Sequence, residues 1–333
     1  MQRQWNDKIF NVNRAGFSTM ALEVFAFQYA NNPVYRAYCD LLHRHPGNVT
    51  NLLSIPFLPV SFFKTRQVKT TEFDPELVFE SSGTTGSVNS RHLVRDPGLY
   101  EESFIRGFEA AYGPVKDLVI IGLLPSYLER SNSSLVYMVD KLIARSAKPE
   151  SGFYLHDTDR LSAQLKVLEQ RGQKTLLIGV TFALLDFAAS FPMPLQHTMV
   201  METGGMKGRR RELQRQEVQQ LLKEAFGLKF IHSEYGMTEL LSQAYSSGDG
   251  IFITPPWMRV VLRDEEDPLS LTDADSMSRP VMSGAVNIID LANLYSSSFI
   301  ATDDAARLYP DGSFEILGRL DNSDLRGCSL LTI

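Results

Sequence analysis

The stretch that most constrains the fold is Asp117-Leu118-Val119-Ile120-Ile121-Gly122-Leu123-Leu124-Pro125, a continuous apolar run that ends in a turn. A half-solvated strand would alternate polar and apolar residues, so this run fits a strand buried on both faces. Shorter runs at 175–180, 198–201 and 228–232 share that character. Between them lie segments with helical periodicity, at 100–112, 135–144, 161–170, 181–189 and 207–226. Buried strands alternating with helices predict an α/β fold with a largely parallel sheet, and such sheets place ligands at the carboxyl ends of their strands.

On either side of this core the character differs. Residues 1–50 read as helical. Met20, Val24 and Phe27 share one face, while Leu22, Phe25 and Tyr29 share another, so that helix is predicted to be well buried. Ser18 is the expected cap, with Phe17 and Leu22 as a hydrophobic staple, and Asn31-Asn32-Pro33 is the expected stop. A second helix is expected over 33–43, with Cys39 as a buried structural thiol. Two prolines make 55–64 an extended connector packed on the core. From about residue 250 short strands separated by Asp, Gly and Pro turns predict an antiparallel β subdomain. The run Asp264 to Asp267 is read as a solvated hairpin turn. The predicted organisation is a helical segment over 1–75, an α/β core over 76–250, a β-rich subdomain over 251–320, and a short tail over 321–333.

Composition narrows the function. A net charge of −6 argues against a protein that coats nucleic acid. Only two cysteines occur, Cys39 and Cys328, too few and too far apart to suggest a disulfide scaffold or a zinc site. The polar N-terminus has no apolar segment behind it, and no run approaches the roughly 18 apolar residues of a membrane helix. A soluble, cytoplasmic protein is the expectation.

Chemistry gathers at five places. Ser81, Ser82, Gly83, Thr84, Thr85 and Gly86 follow the apolar end of a strand. Small residues let backbone N–H groups and hydroxyls close around a polyphosphate. No lysine follows Gly86, so this is not the P-loop of nucleotide hydrolases. Ser233-Glu234-Tyr235-Gly236-Met237-Thr238-Glu239 offers a flat ring for a base, a hydroxyl for a phosphate and a carboxylate for Mg²⁺. Thr203-Gly204-Gly205 lets backbone approach a ligand closely. Ala301-Thr302-Asp303-Asp304 is read as the end of a strand whose carboxylate takes both ribose hydroxyls. Gly318-Arg319-Leu320-Asp321 sets a permanent cation and an acid beside a glycine.

In this order the clusters resemble the adenylate-forming superfamily of acyl-CoA synthetases, nonribosomal-peptide adenylation domains and luciferases. Ser81 to Gly86 match its phosphate loop, Tyr235 to Glu239 its Y-G-x-T-E motif, and Gly318 to Asp321 its G-R-x-D hinge. Thr302-Asp303-Asp304 match T-G-D approximately, with Asp where Gly is usual. The nearest likeness is to the acyl-protein synthetases of the bacterial luminescence fatty-acid reductase system, with phenylacetate-CoA ligases next. The resemblance implies ATP and Mg²⁺ as cofactors and a carboxylic, fatty acid as substrate. The acid is activated as an acyl-adenylate, with pyrophosphate released, and then transferred to a thiol. It further implies that Ser81 to Gly86 hold the β- and γ-phosphates and Thr238 the α-phosphate. Glu239 would bind Mg²⁺, Tyr235 with Gly204 and Gly205 would flank adenine, and Asp304 and Arg319 would fix the ribose, with Asp303 as second choice.

Typical members continue for roughly a hundred residues past the hinge as a lid carrying a catalytic lysine. This sequence ends twelve residues after Asp321, and Lys229 is its last lysine. Adenylation is therefore expected to run on loop electrostatics or to be completed by a partner. In the acyl-protein synthetases a cysteine close to the C-terminus accepts the acyl group. Cys328, beside Arg326, is the matching thiol, and a reductase or acyl-carrier protein is the partner implied. Two other readings stay open: an acyl-CoA or carrier-protein ligase of the phenylacetate type, and a nucleotide-binding scaffold without catalysis. The adenylation step needs no strong base, because a carboxylic acid is already ionised at neutral pH. Of His92, His156 and His232, the last is the one expected near the acyl pocket, which is placed near 123–127 and 178–182.

Overall fold

The computed structural model describes residues 2–81, 88–124, 132–154, 157–204 and 213–320. At its centre the apolar run forms β4 (Val119–Leu123), buried at all five positions. Each large aliphatic side chain buried there contributes about 1.5–3 kcal/mol. Mid-strand Gly122 is required by packing, because a Cβ there would lie 2.6 Å from the Phe153 ring. β4 pairs in parallel with the short edge strand β5 (Gly152–Phe153) and with β6 (Thr175–Val180). The sheet continues in parallel through β7 (Thr198–Thr203) and β8 (His232–Tyr235), then closes with antiparallel β9 (Ala244–Ser246). Helices α5 (Pro97–Tyr112), α6 (Ser134–Ser146), α7 (Thr158–Gln170), α8 (Thr181–Ser190) and α9 (Arg215–Phe226) alternate with these strands. Asp96, Ser133 and Asp157 cap α5, α6 and α7 by accepting from Gly98, Val136 and Arg160 N–H groups.

The second sheet is mostly antiparallel, in the order β10 (Ile251–Phe252), β15 (Phe314–Arg319), β14 (Phe299–Leu308), β13 (Met282–Asp290), β11 (Met258–Arg263) and β12 (Leu271–Thr272). The acidic run lies in the turn between β11 and β12, where Asp264 Oδ1 accepts from the N–H groups of Glu266 and Asp267. The N-terminal helices α1 (Gln2–Phe10), α2 (Phe17–Asn31) and α3 (Pro33–Leu41) pack on this sheet. Gln28 makes the tie. Its amide donates to the carbonyls of Asn293 and Leu294, and its own oxygen accepts from Ser298 N–H. The connector enters the same sheet as β1 (Leu58–Pro59), parallel to β14, and then turns once as α4 (Phe62–Thr65). Cys39 is fully buried, and burial pushes its thiol up to about 12.

Several local expectations are corrected. α2 begins at Phe17, so Ser18 lies inside it and caps nothing; Asn13 Oδ1 accepts from Gly16 N–H instead. Leu213 and Gln214 precede α9, whose helix starts at Arg215 and not at 207. The strand expected at 228–232 sits later, over His232–Tyr235, because α9 continues to Phe226 and Gly227 turns the chain at φ 61°. The strand before the small-residue loop, β2 (Leu77–Glu80), is not in the parallel sheet. It forms a separate antiparallel hairpin with β3 (Arg91–Val94). Asp303 and Asp304 lie within β14 and do not end it.

Candidate active site

The β2–β3 hairpin is closed at its loop end by two serines. Ser81 N–H donates to the Ser90 carbonyl at 3.0 Å, and Ser90 N–H donates to Ser81 Oγ at 2.9 Å. Ser82, Gly83, Thr84, Thr85 and Gly86 lie outside the described residues, as do Gly205, Cys328, His156 and residues 125–127 of the expected acyl pocket.

The hairpin faces the turn that follows β8. Tyr235, the last residue of β8, packs edge-on against Phe252 and Phe314, at 5.9 and 5.6 Å between ring centroids. Its hydroxyl donates to Asp304 Oδ2 at 2.8 Å. Asp304 is directly opposite Arg319 across the β14–β15 ladder. Arg319 Nε is 3.7 Å from Asp304 Oδ1, and its Nη2 is 3.9 Å from Asp303 Oδ2. The Arg319 side chain is 72% exposed, so these pairs add little to stability and leave the guanidinium available to a ligand. Burial raises the Asp304 carboxyl, while the Tyr235 hydroxyl and Arg319 act the other way.

Glu239 is only 5% exposed. Burial pushes its carboxyl up, opposed by the Ser90 hydroxyl, by a backbone N–H, and by the cations Arg319 and Lys64. Among the described residues no cluster of three His, Cys, Asp or Glu side chains could hold a metal alone. A single carboxylate does suit Mg²⁺ that keeps water and phosphate oxygens as its other ligands. A cation there would also restore the ionised form that burial opposes.

The turn itself is held from behind. The two His92 ring nitrogens face two acceptors, Nδ1 the Thr238 carbonyl at 2.8 Å and Nε2 the Asn293 amide oxygen at 3.0 Å, and the neutral ring donates to one of them. Asn293 Nδ2 donates to the Glu239 carbonyl at 2.7 Å. Fully buried Asp290 accepts from Leu241 N–H, Ser242 N–H, Ala292 N–H and the Ser242 hydroxyl. The backbone of Thr238 and Glu239 is thus tied both to the β2–β3 hairpin and to the segment that follows β13. Gly204, at φ 66°, accepts from the Thr181 hydroxyl at 2.8 Å. Neighbouring Glu202 accepts from Thr181 and Ser233 and lies 3.7 Å from Arg215 Nε, while Arg215 Nη1 donates to the Ile316 carbonyl in the other sheet.

Of the residues expected from sequence, Ser81, Gly204, Tyr235, Gly236, Thr238, Glu239, Asp303, Asp304 and Arg319 fall in this one region. His92 lies behind the turn and not in the open site. Sequence reasoning missed Lys64, Glu202, Arg215, Asp290 and Asn293. The available signal was a polar residue closing an apolar strand, as Asp290 does after Val286-Asn287-Ile288-Ile289.

His92 supports a pH prediction. Burial lowers its pKa from 6.5 to about 4. The unfolded chain therefore takes up the proton first, and this burial withdraws on the order of 3 kcal/mol of stability as pH falls from about 6.5 to 4. A His92→Asn variant should melt below wild type at pH 7.5, with the gap narrowing toward pH 4.5. A constant gap in parallel thermal melts would refute the assignment.

The fold is that of the adenylate-forming enzymes. It matches 2-hydroxyisobutyryl-CoA ligase in its postadenylation state with TM-score 0.63 and 12% identity, over 96% of this chain and 72% of that one. ATP-bound MatB from Rhodopseudomonas palustris matches with TM-score 0.53 and 18% identity, over 75% of this chain and 50% of that one. The chain belongs to the acyl-protein synthetase family LuxE, whose profile matches residues 10–332. A curated relative, a long-chain-fatty-acid–luciferin-component ligase of Photorhabdus luminescens, is 38% identical over 68 residues. That alignment spans 20% of this chain and 58% of the relative. Among the described residues no helix is long and apolar enough to cross a membrane.

Proposed function

We propose that this protein uses ATP to activate a carboxylic acid as its acyl-adenylate and passes the acyl group to a thiol. The observation that carries the reading is the meeting of Tyr235, Glu239, Asp304 and Arg319 beside the Ser81–Ser90 closure, in a chain of this family and fold. In the first step a carboxylate oxygen attacks the α-phosphorus of ATP, and the bond to the β-phosphate oxygen breaks to release pyrophosphate. Ser81 to Gly86 would cradle the β- and γ-phosphates, and Thr238 would bind the α-phosphate. Asp304 and Arg319, with Asp303 beside them, would hold the ribose, while Tyr235, Gly204 and Gly205 would border adenine. Glu239 would hold Mg²⁺, which offsets the charge that builds up as the bridging bond breaks. Arg319 and Lys64 bring positive charge to a chain whose net charge is −6.

In the second step a thiolate attacks the acyl carbon and AMP leaves. Cys328 is the acceptor we propose, and a reductase or an acyl-carrier protein is the class of partner such a thioester would serve. The name of the Photorhabdus relative supports a fatty acid as the substrate class.

The test is pyrophosphate exchange into ATP as a function of added carboxylic acid. Exchange that depends on the acid supports the reading, and none with any acid refutes it. Labelled acid should then remain on the protein in a hydroxylamine-sensitive bond that Cys328→Ser removes. Free acyl-CoA on adding CoA would instead favour a CoA ligase.

A further inference from the structure

β14 changes neighbours at the site. One of its edges lies beside β1 at Ile300 and Ala301 and beside β15 from Asp304 onward. On the other edge β13 pairs with it at Asn287–Ala301 and again at Ala285–Ala305. Val286 alone therefore stands opposite Thr302, Asp303 and Asp304, and β14 carries a bulge where its two carboxylates lie.

A bulge takes backbone groups out of the ladder, and those that are buried need other partners. The Thr302 hydroxyl donates to the Val286 carbonyl at 2.9 Å and accepts from Asp304 N–H at 3.2 Å. Leu320 N–H donates to the Asp303 carbonyl at 2.7 Å. The Thr302 carbonyl is met from two strands away. Arg263, the last residue of β11, stands opposite Ala285 on β13, which presents only a methyl group, and its guanidinium passes β13 to reach β14. Its Nη2 donates to the Thr302 carbonyl at 2.6 Å. Its Nη1 donates to the Val286 carbonyl at 2.7 Å and to the Asn287 amide oxygen at 2.8 Å. Thr302 and Asn287 are buried. All three bonds thus end on the bulge or on the strand facing it. A planar fork can span two carbonyls in this way, and the single ammonium of a lysine cannot hold the same geometry. The Arg263 charge also favours the ionised form of Asp304.

We propose that Arg263 is a positioning residue for the nucleotide: by holding the β14 bulge it aims the carboxylates of Asp303 and Asp304 at the ribose hydroxyls. The inference rests on the reading above in which Asp304 fixes the ribose. Arg263 acts through Thr302 and the two aspartates and does not itself contact the nucleotide.

The test is pyrophosphate exchange with ATP, 2′-deoxy-ATP and 3′-deoxy-ATP, using the carboxylic acid that drives exchange best in wild type. Wild type should favour ATP over at least one deoxy analogue by about tenfold or more in kcat/KM, because the analogue leaves the carboxylate short of a donor. Arg263→Lys should cut that preference to about threefold or less, through a raised KM for ATP, with kcat at saturating ATP and KM for the acid near wild type. A role in stability alone would lower exchange with all three nucleotides alike and leave the preference intact. Thr302→Val, which exchanges one hydroxyl of the same bulge for a methyl group, is the second variant and should narrow the preference in the same direction even where Arg263→Lys fails to fold. A preference absent from wild type, or unchanged in the folded variants, overturns this inference and leaves the acyl-activating reading standing. Absence of exchange with every acid overturns both.

Discussion

Glu239→Gln is expected to lower acid-dependent pyrophosphate exchange by about 10²–10³-fold, the loss typical when one preorganised charge is removed from a site of this kind. The reason is local. Glu239 is the carboxylate at the meeting point of hairpin, turn and cations, which is why it is the group proposed to fix Mg²⁺ against a triphosphate. Folding should survive the change. Burial opposes the charge on Glu239, and a neutral amide of the same shape relieves that cost. The melting temperature should therefore stay level or rise while exchange collapses, and raising Mg²⁺ should not restore the rate. Exchange within threefold of wild type would remove Glu239 from the site.

Asp290→Ala is expected to act on stability first. It removes the acceptor for three backbone N–H groups and one hydroxyl inside a fully buried turn. Unsatisfied buried donors cost about 1–3 kcal/mol each, and some will find water, so a total loss of roughly 3–5 kcal/mol is expected. For a chain of this size that lowers the melting temperature by on the order of 10 °C. The surviving folded protein should show a raised KM for ATP, because Leu241 and Ser242 follow directly on the Thr238–Glu239 turn. Asp290 also has a pH signature. Burial lifts its pKa from 3.8 to about 6, so the folded state holds the proton more tightly and stability falls as pH rises through that interval. The effect is opposite in sign to that of His92, and the two windows overlap between about pH 4 and 6. Wild type should therefore vary little there on account of this pair. The His92 and Asp290 variants should diverge from it in opposite directions, which thermal melts across that range will show.

These residues share one architectural role. His92 leaves β3, Asn293 and Asp290 leave the end of β13, and all three grip the short segment from Thr238 to Ser242. The strand that carries Tyr235 belongs to the parallel sheet, while Asp304 and Arg319 belong to the antiparallel one. A ligand touching Tyr235 and Arg319 together would bridge the two sheets. Arg215 and Glu202 make a second bridge a short way along the same seam.

The sequence alone determined the parallel α/β core, the β-rich remainder and the short motifs. Those features are written in local pattern: continuous apolar runs such as 118–124, helical periodicity, and small or charged residues placed directly after strands. The interior of β4 was legible because burial on both faces selects an unbroken run of apolar residues and glycine. Tertiary structure decided what spacing along the chain does not carry. It set β2 apart from the parallel sheet as a hairpin with β3, and it placed Asp304 within a strand opposite Arg319. It brought His92 and Asn293, about two hundred residues apart, to one turn. The reason is physical. A buried polar atom must find a partner wherever the fold supplies one, and partners so distant are fixed only when the two sheets pack together.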